Sequence, residues 1–253
     1  MEVHHHPEVE KKGFKEYVLE GLMIFIAVMM GFFAESIREH MSDHAKETEF
    51  MRSMVQDLKA DTASLNSEVK DFKSIFLNVD TMLSCLKSDK PDGDIINRVV
   101  SHRFWVYSGY SYNNRTIQQL RNAGNFRLIR NAKVTDSIII YDNYQNTIMI
   151  TQCNDLKNTM YAYKDIEARA IHYKELKPGK NFAGRYYADT SSFINTGKPA
   201  FITPDKELVE LYYNRLFIHQ VLGRLFIDNM KRASYKATSL IVFIKKEYHL
   251  EDE

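Results

Sequence analysis

The chain has 253 residues and a formal net charge of +1 with 26% charged residues. That is enough for one large domain or two small ones, with no net field to draw it to nucleic acid. Ten glycines and five prolines are too few for a many-turned β fold, and two cysteines, Cys85 and Cys153, exclude a disulfide scaffold or a cysteine-built metal site.

The first element is a short tail, residues 1–13, which contains His4, His5 and His6. Such a tract binds metal in some chains but reads here as incidental histidines in a tail. A transmembrane helix is predicted over 14–35. Gly21 to Ala34 contains no charged side chain, and extending it back to Tyr17 admits only Glu20. The run from Tyr17 to Ala34 rises about 27 Å as a helix, close to the hydrocarbon thickness of a bilayer. Phe14 and Tyr17 stand as interfacial aromatics, with Lys11, Lys12 and Lys15 just before or among them. A cleaved signal peptide would need small residues before its cut, and Phe32 and Phe33 precede Ala34 instead. A buried core helix is the other alternative, because the uninterrupted run is short for a span. The lysines are closer packed than Arg38, Lys46 and Arg52 beyond the span, which leans toward a cytoplasmic N-terminus.

One face of the span differs from the rest. Glu20, Ile24, Ala27, Gly31, Ala34 and Arg38 recur at 4-3-4-3-4 spacing and share a stripe. Ala27 and Gly31 make a small-xxx-small pair that admits a second helix. Glu20 on that stripe faces protein or a wet cavity, or else snorkels to the interface.

A long stalk or coiled-coil helix is predicted over 36–88. No proline or glycine interrupts it after Phe32, and Met51, Val55, Leu58, Thr62, Leu65, Val69, Phe72, Phe76, Val79, Leu83 and Leu86 keep a 4-3 rhythm. Residues 17 to 87, if one helix, form a rod of roughly 105 Å. Ser88 to Asp94 is a turn. The remainder, 94–249, reads as a helical bundle. It begins with a helix over 94–102 and an aromatic stretch (Phe104, Trp105, Tyr107, Tyr110, Tyr112). A helix over 115–122 ended by Gly124 follows, then a long helix from Ala132 to about Glu175. The segment 176–203 is a turn-rich loop with a short strand or helical turn. The last helix is predicted to open on Thr203 as N-cap with Pro204 in its first position. Its stripe is Tyr212, Leu216, His219, Gly223, Phe226, Met230, Ala233, Ala237, Leu240 and Ile244. Short connections make the neighbours antiparallel, so the fold class is all-α: an N-terminal transmembrane helix continuing into an elongated up-down bundle. Residues 239–246 then return to the membrane-proximal end, away from Leu83 and Leu86.

Two stretches, KGFKEYVLEGLMIFIAVMMGFFAESIREH (12–40) and TIQQLRNAGNFRLIRN (116–131), resemble a group of short single-pass membrane proteins common in Bacteroidetes. Leu120, Gly124, Phe126, Leu128 and Ile129 match the turn shared by that group's helical domain. The resemblance implies an envelope protein of a Gram-negative cell; no activity is assigned to the group, so no functional residue carries over.

Chemistry-bearing patterns are sparse. His40, His44 and Glu47 recur at i, i+4 and i+7, a spacing able to bind zinc between subunits, but no fourth ligand is evident and a solvated helix face is the simpler reading. Asp136, Asp142, Asp155, Asp165 and Glu167 read as charges on a solvated face. Cys153 lacks an activating neighbour and reads as structural, and Cys85 and Cys153 are expected as free thiols. No phosphate-loop, dinucleotide, nucleophile-elbow or zinc-protease motif is present. The expectation is therefore a non-enzymatic, cofactor-free protein of the inner (cytoplasmic) membrane. It contacts lipid, self-associates through its span, presents a helical domain to a protein partner, and binds no nucleic acid. A different class of function is an oligomeric ion channel or membrane-perturbing effector, its pore lined by the Glu20, Ala27 and Gly31 face.

Overall fold

The computed structural model describes residues 13–103, 110–172 and 201–251. Phe104, Trp105 and Tyr107, His4 to His6, and most of the 176–203 loop lie outside them. In chain order the elements are α1 (Phe14–Leu86), α2 (Gly93–Arg103), α3 (Arg115–Asn122), a 3-10 turn (Asn125–Leu128), α4 (Ala132–Asn143), a π turn (Tyr144–Met149), α5 (Ile150–Ala170), β1 (Ile171–His172), β2 (Phe201–Ile202) and α6 (Lys206–Glu247). The fold is all-α; among the described residues one two-residue antiparallel ladder pairs Ile171 with Ile202 and His172 with Phe201. By internal contacts the chain divides between Phe50 and Met51, within α1.

The first unit holds the N-terminal part of α1. Phe14 to Ser42 are exposed around the whole circumference, the apolar Leu22, Ile24, Phe25, Phe32 and Phe33 included. This is the one described helix that contains a window long and apolar enough to cross a membrane.

The second unit is built on the 4-3 seam of α1. Met51, Val55, Leu58, Leu65, Val69, Phe72, Phe76, Val79, Leu83 and Leu86 are all buried, and Thr62 is half-buried with its hydroxyl donating to the Leu58 carbonyl. Ile96, Val99 and Val100 of α2 join that core, as do Cys153, Leu156, Met160 and Tyr163 of α5 and Tyr212, Leu216, Phe226 and Met230 of α6. Helix α6 runs antiparallel to α1. Ser234 bonds Asn66, Phe226 packs edge-on against Phe72, and His219 packs against Phe76, so α1 numbers rise as α6 numbers fall. The same rule pairs α5 with α6: Asn229 bonds Gln152, Thr159 bonds His219, and the Tyr212 hydroxyl donates to Glu167. The up-down order holds inside this unit. The start of α6, through Val209 and Tyr213, shares a groove with Leu86, and its C-terminal half runs toward the Met51 end of α1.

Two predicted boundaries and one predicted helix interior need correction. The helix expected to run unbroken from Ala132 to about Glu175 contains the π turn and stops at Ala170. Its buried positions Tyr141, Gln145, Met149 and Cys153 are spaced 4-4-4, which drifts around an α-helix, and the wider π turn keeps them on one face. Ala170 ends the helix because Ile171 is extended (φ −109°, ψ 128°) and enters the ladder. The N-cap of α6 is Asp205, whose Oδ1 accepts from Leu208 N at 3.2 Å. Thr203 still adjoins the ladder, where its N–H donates to the Ala170 carbonyl at 2.8 Å; its hydroxyl accepts from Asp205 N at 3.3 Å, and the helix starts two residues later than predicted.

Candidate functional site

The stripe predicted for helix association lies wholly on the exposed part of α1. Glu20, Ile24, Ala27, Gly31, Ala34 and Arg38 are all exposed, and a Cβ added to Gly31 would meet nothing within 4 Å. The small-residue face is thus an empty surface within one chain, as a helix–helix contact in a membrane requires. Arg38 is engaged by its own helix: its guanidinium donates twice to Glu35, at 2.9 and 2.5 Å. Arg38 is thus locally neutralised.

Of the three weak metal candidates, the structure brings two together: His44 Nδ1 lies 3.5 Å from Glu47 Oε2. Glu47 is 2% exposed, so the solvated face expected of these residues is corrected at this position. Among the described residues no cluster of three or more His, Cys, Asp or Glu side chains could hold a metal ion.

The most developed polar constellation is one that periodicity passes over. Asp57 and Asp61 stand one turn apart on α1, beside the apolar seam, and both are buried. The N-cap of α3 is Asn114, whose side chain makes no capping bond. Asp57 caps it from across the core: its Oδ2 accepts from Thr116 N at 2.9 Å and Thr116 Oγ1 at 2.6 Å, and its Oδ1 accepts from Arg115 at 2.9 Å. A carboxylate here meets orphan N–H groups and the positive end of the helix dipole together. Asp61 Oδ1 accepts from Asn113 N at 2.6 Å and from its side-chain amide at 3.1 Å, and Asp61 Oδ2 accepts from the Tyr141 hydroxyl at 2.7 Å. Burial raises the Asp61 carboxyl above the ordinary carboxylate range against the lowering effect of these donors. The Tyr141 phenol is raised in turn, first by burial and then by the Asp61 charge.

The clamp continues onto α4. Asp142, predicted as a solvated charge, is 2% exposed and accepts from the Tyr112 hydroxyl and from Arg121, each at 2.5 Å. Glu167 is 3% exposed and bonded to Tyr212, so the solvated reading fails there as well, whereas Asp136, Asp155 and Asp165 are exposed as expected. Tyr110 donates to Gln145 Oε1 at 2.5 Å, while its backbone N–H reaches Cys153 Sγ at 3.2 Å. The described members of the tyrosine cluster thus pack between helices. Four carboxylate oxygens of Asp57 and Asp61 all have donors, so the chemistry available is positional: segment 110–122 is tied to α1 and α4. Cys85 and Cys153 are both free and buried, and burial raises the Cys85 thiol.

A groove of about 760 Å³ opens between Leu86, Asp89, Pro91, Lys206, Val209 and Tyr213. Its charged side chains belong to both signs. Comparison of the chain with protein-family models, with curated proteins and with solved structures finds no match.

Proposed function

We propose that this protein is a membrane-anchored helical interaction protein. The helix over 14–35 inserts in the inner membrane with its N-terminus on the cytoplasmic side, copies associate through the Ala27 and Gly31 face, and the second unit is presented to a protein partner. One observation carries the reading: the most apolar window of α1 has a mean hydropathy of 2.1 and none of it is buried within the chain. A core helix of that hydropathy would cover its side chains with the rest of the protein; this one leaves Phe25, Phe32 and Phe33 about 60% exposed or more. Lys11, Lys12 and Lys15 on the N-terminal side support the orientation. The second unit supports a presenting role because its buried carboxylates Asp57, Asp61, Asp142 and Glu167 are spent on fixing helices to one another. The Arg38–Glu35 ion pair favours an associating face over a conducting one, since it leaves less free charge along the stripe.

Alkaline carbonate extraction of membranes, followed by sizing in detergent, tests this. Retention in the pellet with a mass above one chain is expected. Ion conductance in a planar bilayer that Glu20→Gln alters would favour the channel instead.

A further inference from the structure

We propose that the outward face of α6 joins two copies of this chain as a parallel, in-register helix pair. The inward face of α6 is fully used: Tyr212, Leu216, His219, Gly223, Phe226 and Met230 are buried. The face turned away from them ought to be polar in an amphipathic helix. Instead Leu211, Ile218, Val221 and Leu225 stand there with exposures between 39% and 49%. With Asn214 between the first two, the positions 211, 214, 218, 221 and 225 follow 3-4-3-4 spacing, a second seam on the same helix and the signature of a two-helix contact.

The charges beside the seam select its occupant. Exposed Glu210 precedes the seam position Leu211, and exposed Arg215 follows the seam position Asn214. Flanking residues five apart meet across a parallel pair of identical helices, so Glu210 of each copy faces Arg215 of the other. Neither residue takes part in an ion pair among the described residues. The other cation on a flank, Arg224, is already held by Asp80 of α1 at 3.1 Å to both oxygens. In an antiparallel arrangement Glu210 would have to compete with Asp80 for it, whereas Arg215 has no such partner among the described residues to give up. The next flanking pair, Phe217 and Leu222, is apolar and extends the contact. Asn214 meets its own counterpart only in the parallel, in-register arrangement, where one polar seam residue fixes register at some cost in stability. Asp228 and Arg232, both exposed, end the seam after about two heptads. So short a contact gains from tethering both copies in one membrane, and to that extent it rests on the anchor proposed above.

Full-length protein reconstituted in phosphatidylcholine vesicles and oxidised with copper phenanthroline provides the test. Leu211→Cys lies at one end of the seam and should give a disulfide-linked dimer of one variant alone. Tyr235→Cys, 74% exposed on another face of α6, and the unaltered chain with its buried cysteines should give none. Glu210→Arg should lower the Leu211→Cys dimer yield about three-fold at low salt, and adding Arg215→Glu should restore it. Equal dimer yields from Leu211→Cys and Tyr235→Cys would overturn the proposal, as would cross-linking of Leu211→Cys only when mixed with Leu225→Cys. Flotation of the same vesicles reads the anchor separately, so failure of the span and failure of the seam are told apart.

Discussion

The ring of Phe76 stands directly over the backbone of Gly223: a Cβ added at Gly223 would lie 1.7 Å from the Phe76 Cζ. The absence of a side chain at this one α6 position is what lets α6 close on α1, where Phe76 is 4% exposed and also packs against His219. Gly223→Ala gains up to about 1 kcal/mol in helix propensity. Against that it overpacks a buried ring, at a cost of about 1–3 kcal/mol. A net loss of stability is expected in denaturant unfolding of the full chain in detergent, and Phe76→Leu in the same chain should recover part of it. A Gly223→Ala protein as stable as its parent would mean that the helices have room to part.

Asp57 is expected to matter far more than its place on a charged helix suggests. Asp57→Ala leaves the Thr116 N–H without its cap and Arg115 without its partner, for a loss of about 1–3 kcal/mol. The exposed Asp136→Ala should stay within about 0.5 kcal/mol of the parent. Hydrogen exchange localises the effect: amides at the start of α3 should lose protection first. Unchanged protection there would remove Asp57 from the clamp.

Asp61 gives a pH signature of definite sign. Its carboxyl is raised in the folded state, so the folded chain holds that proton more tightly than the unfolded chain. The contribution to stability is fully present below the unfolded value of about 3.9 and is lost as pH rises through the raised folded value. Asp61→Asn removes this dependence. The stability difference, parent minus variant, should therefore fall as pH is taken upward from about 4, and a difference that rises over that interval would contradict the assignment.

The proposed role of the Ala27 and Gly31 face in association can be tested without disturbing the second unit. Gly31→Leu puts a branched side chain where only open surface lies within one chain, so it should be harmless to the fold yet hold neighbouring backbones apart. A lower oligomer order in detergent is expected. An unchanged mass would leave the small residues without a role in association.

Much of the architecture was legible because it is local. The 4-3 rhythm from Met51 to Leu86 marks the buried side of α1, and Gly124, in the left-handed region at φ 64°, ends α3 as its position implied. What escaped depends on partners far along the chain. The end of α5 at Ala170 is set by strand pairing with Phe201 and Ile202, and nothing near Ala170 announces it. The burial of Asp142 depends on Tyr112 and Arg121, and that of Asp57 on Thr116, 59 residues away. A carboxylate on a helix looks solvated until its donors are known. The π turn did leave a trace in the 4-4-4 spacing of Tyr141, Gln145, Met149 and Cys153, a drift that an unbroken α-helix could not keep buried. The second seam on α6 was visible at 211, 214, 218, 221 and 225, but only the structure shows Leu211, Ile218, Val221 and Leu225 exposed while the opposite face is buried.

The central claim is that α1 crosses a membrane, and alkaline carbonate extraction of cells making the full-length chain tests it most directly. The apolar side chains from Leu22 to Phe33 are exposed around the helix, and in the proposed span lipid covers them. The account predicts that the protein stays in the membrane pellet through carbonate washing and is released by detergent. Full-length protein recovered in the soluble fraction without detergent would contradict it.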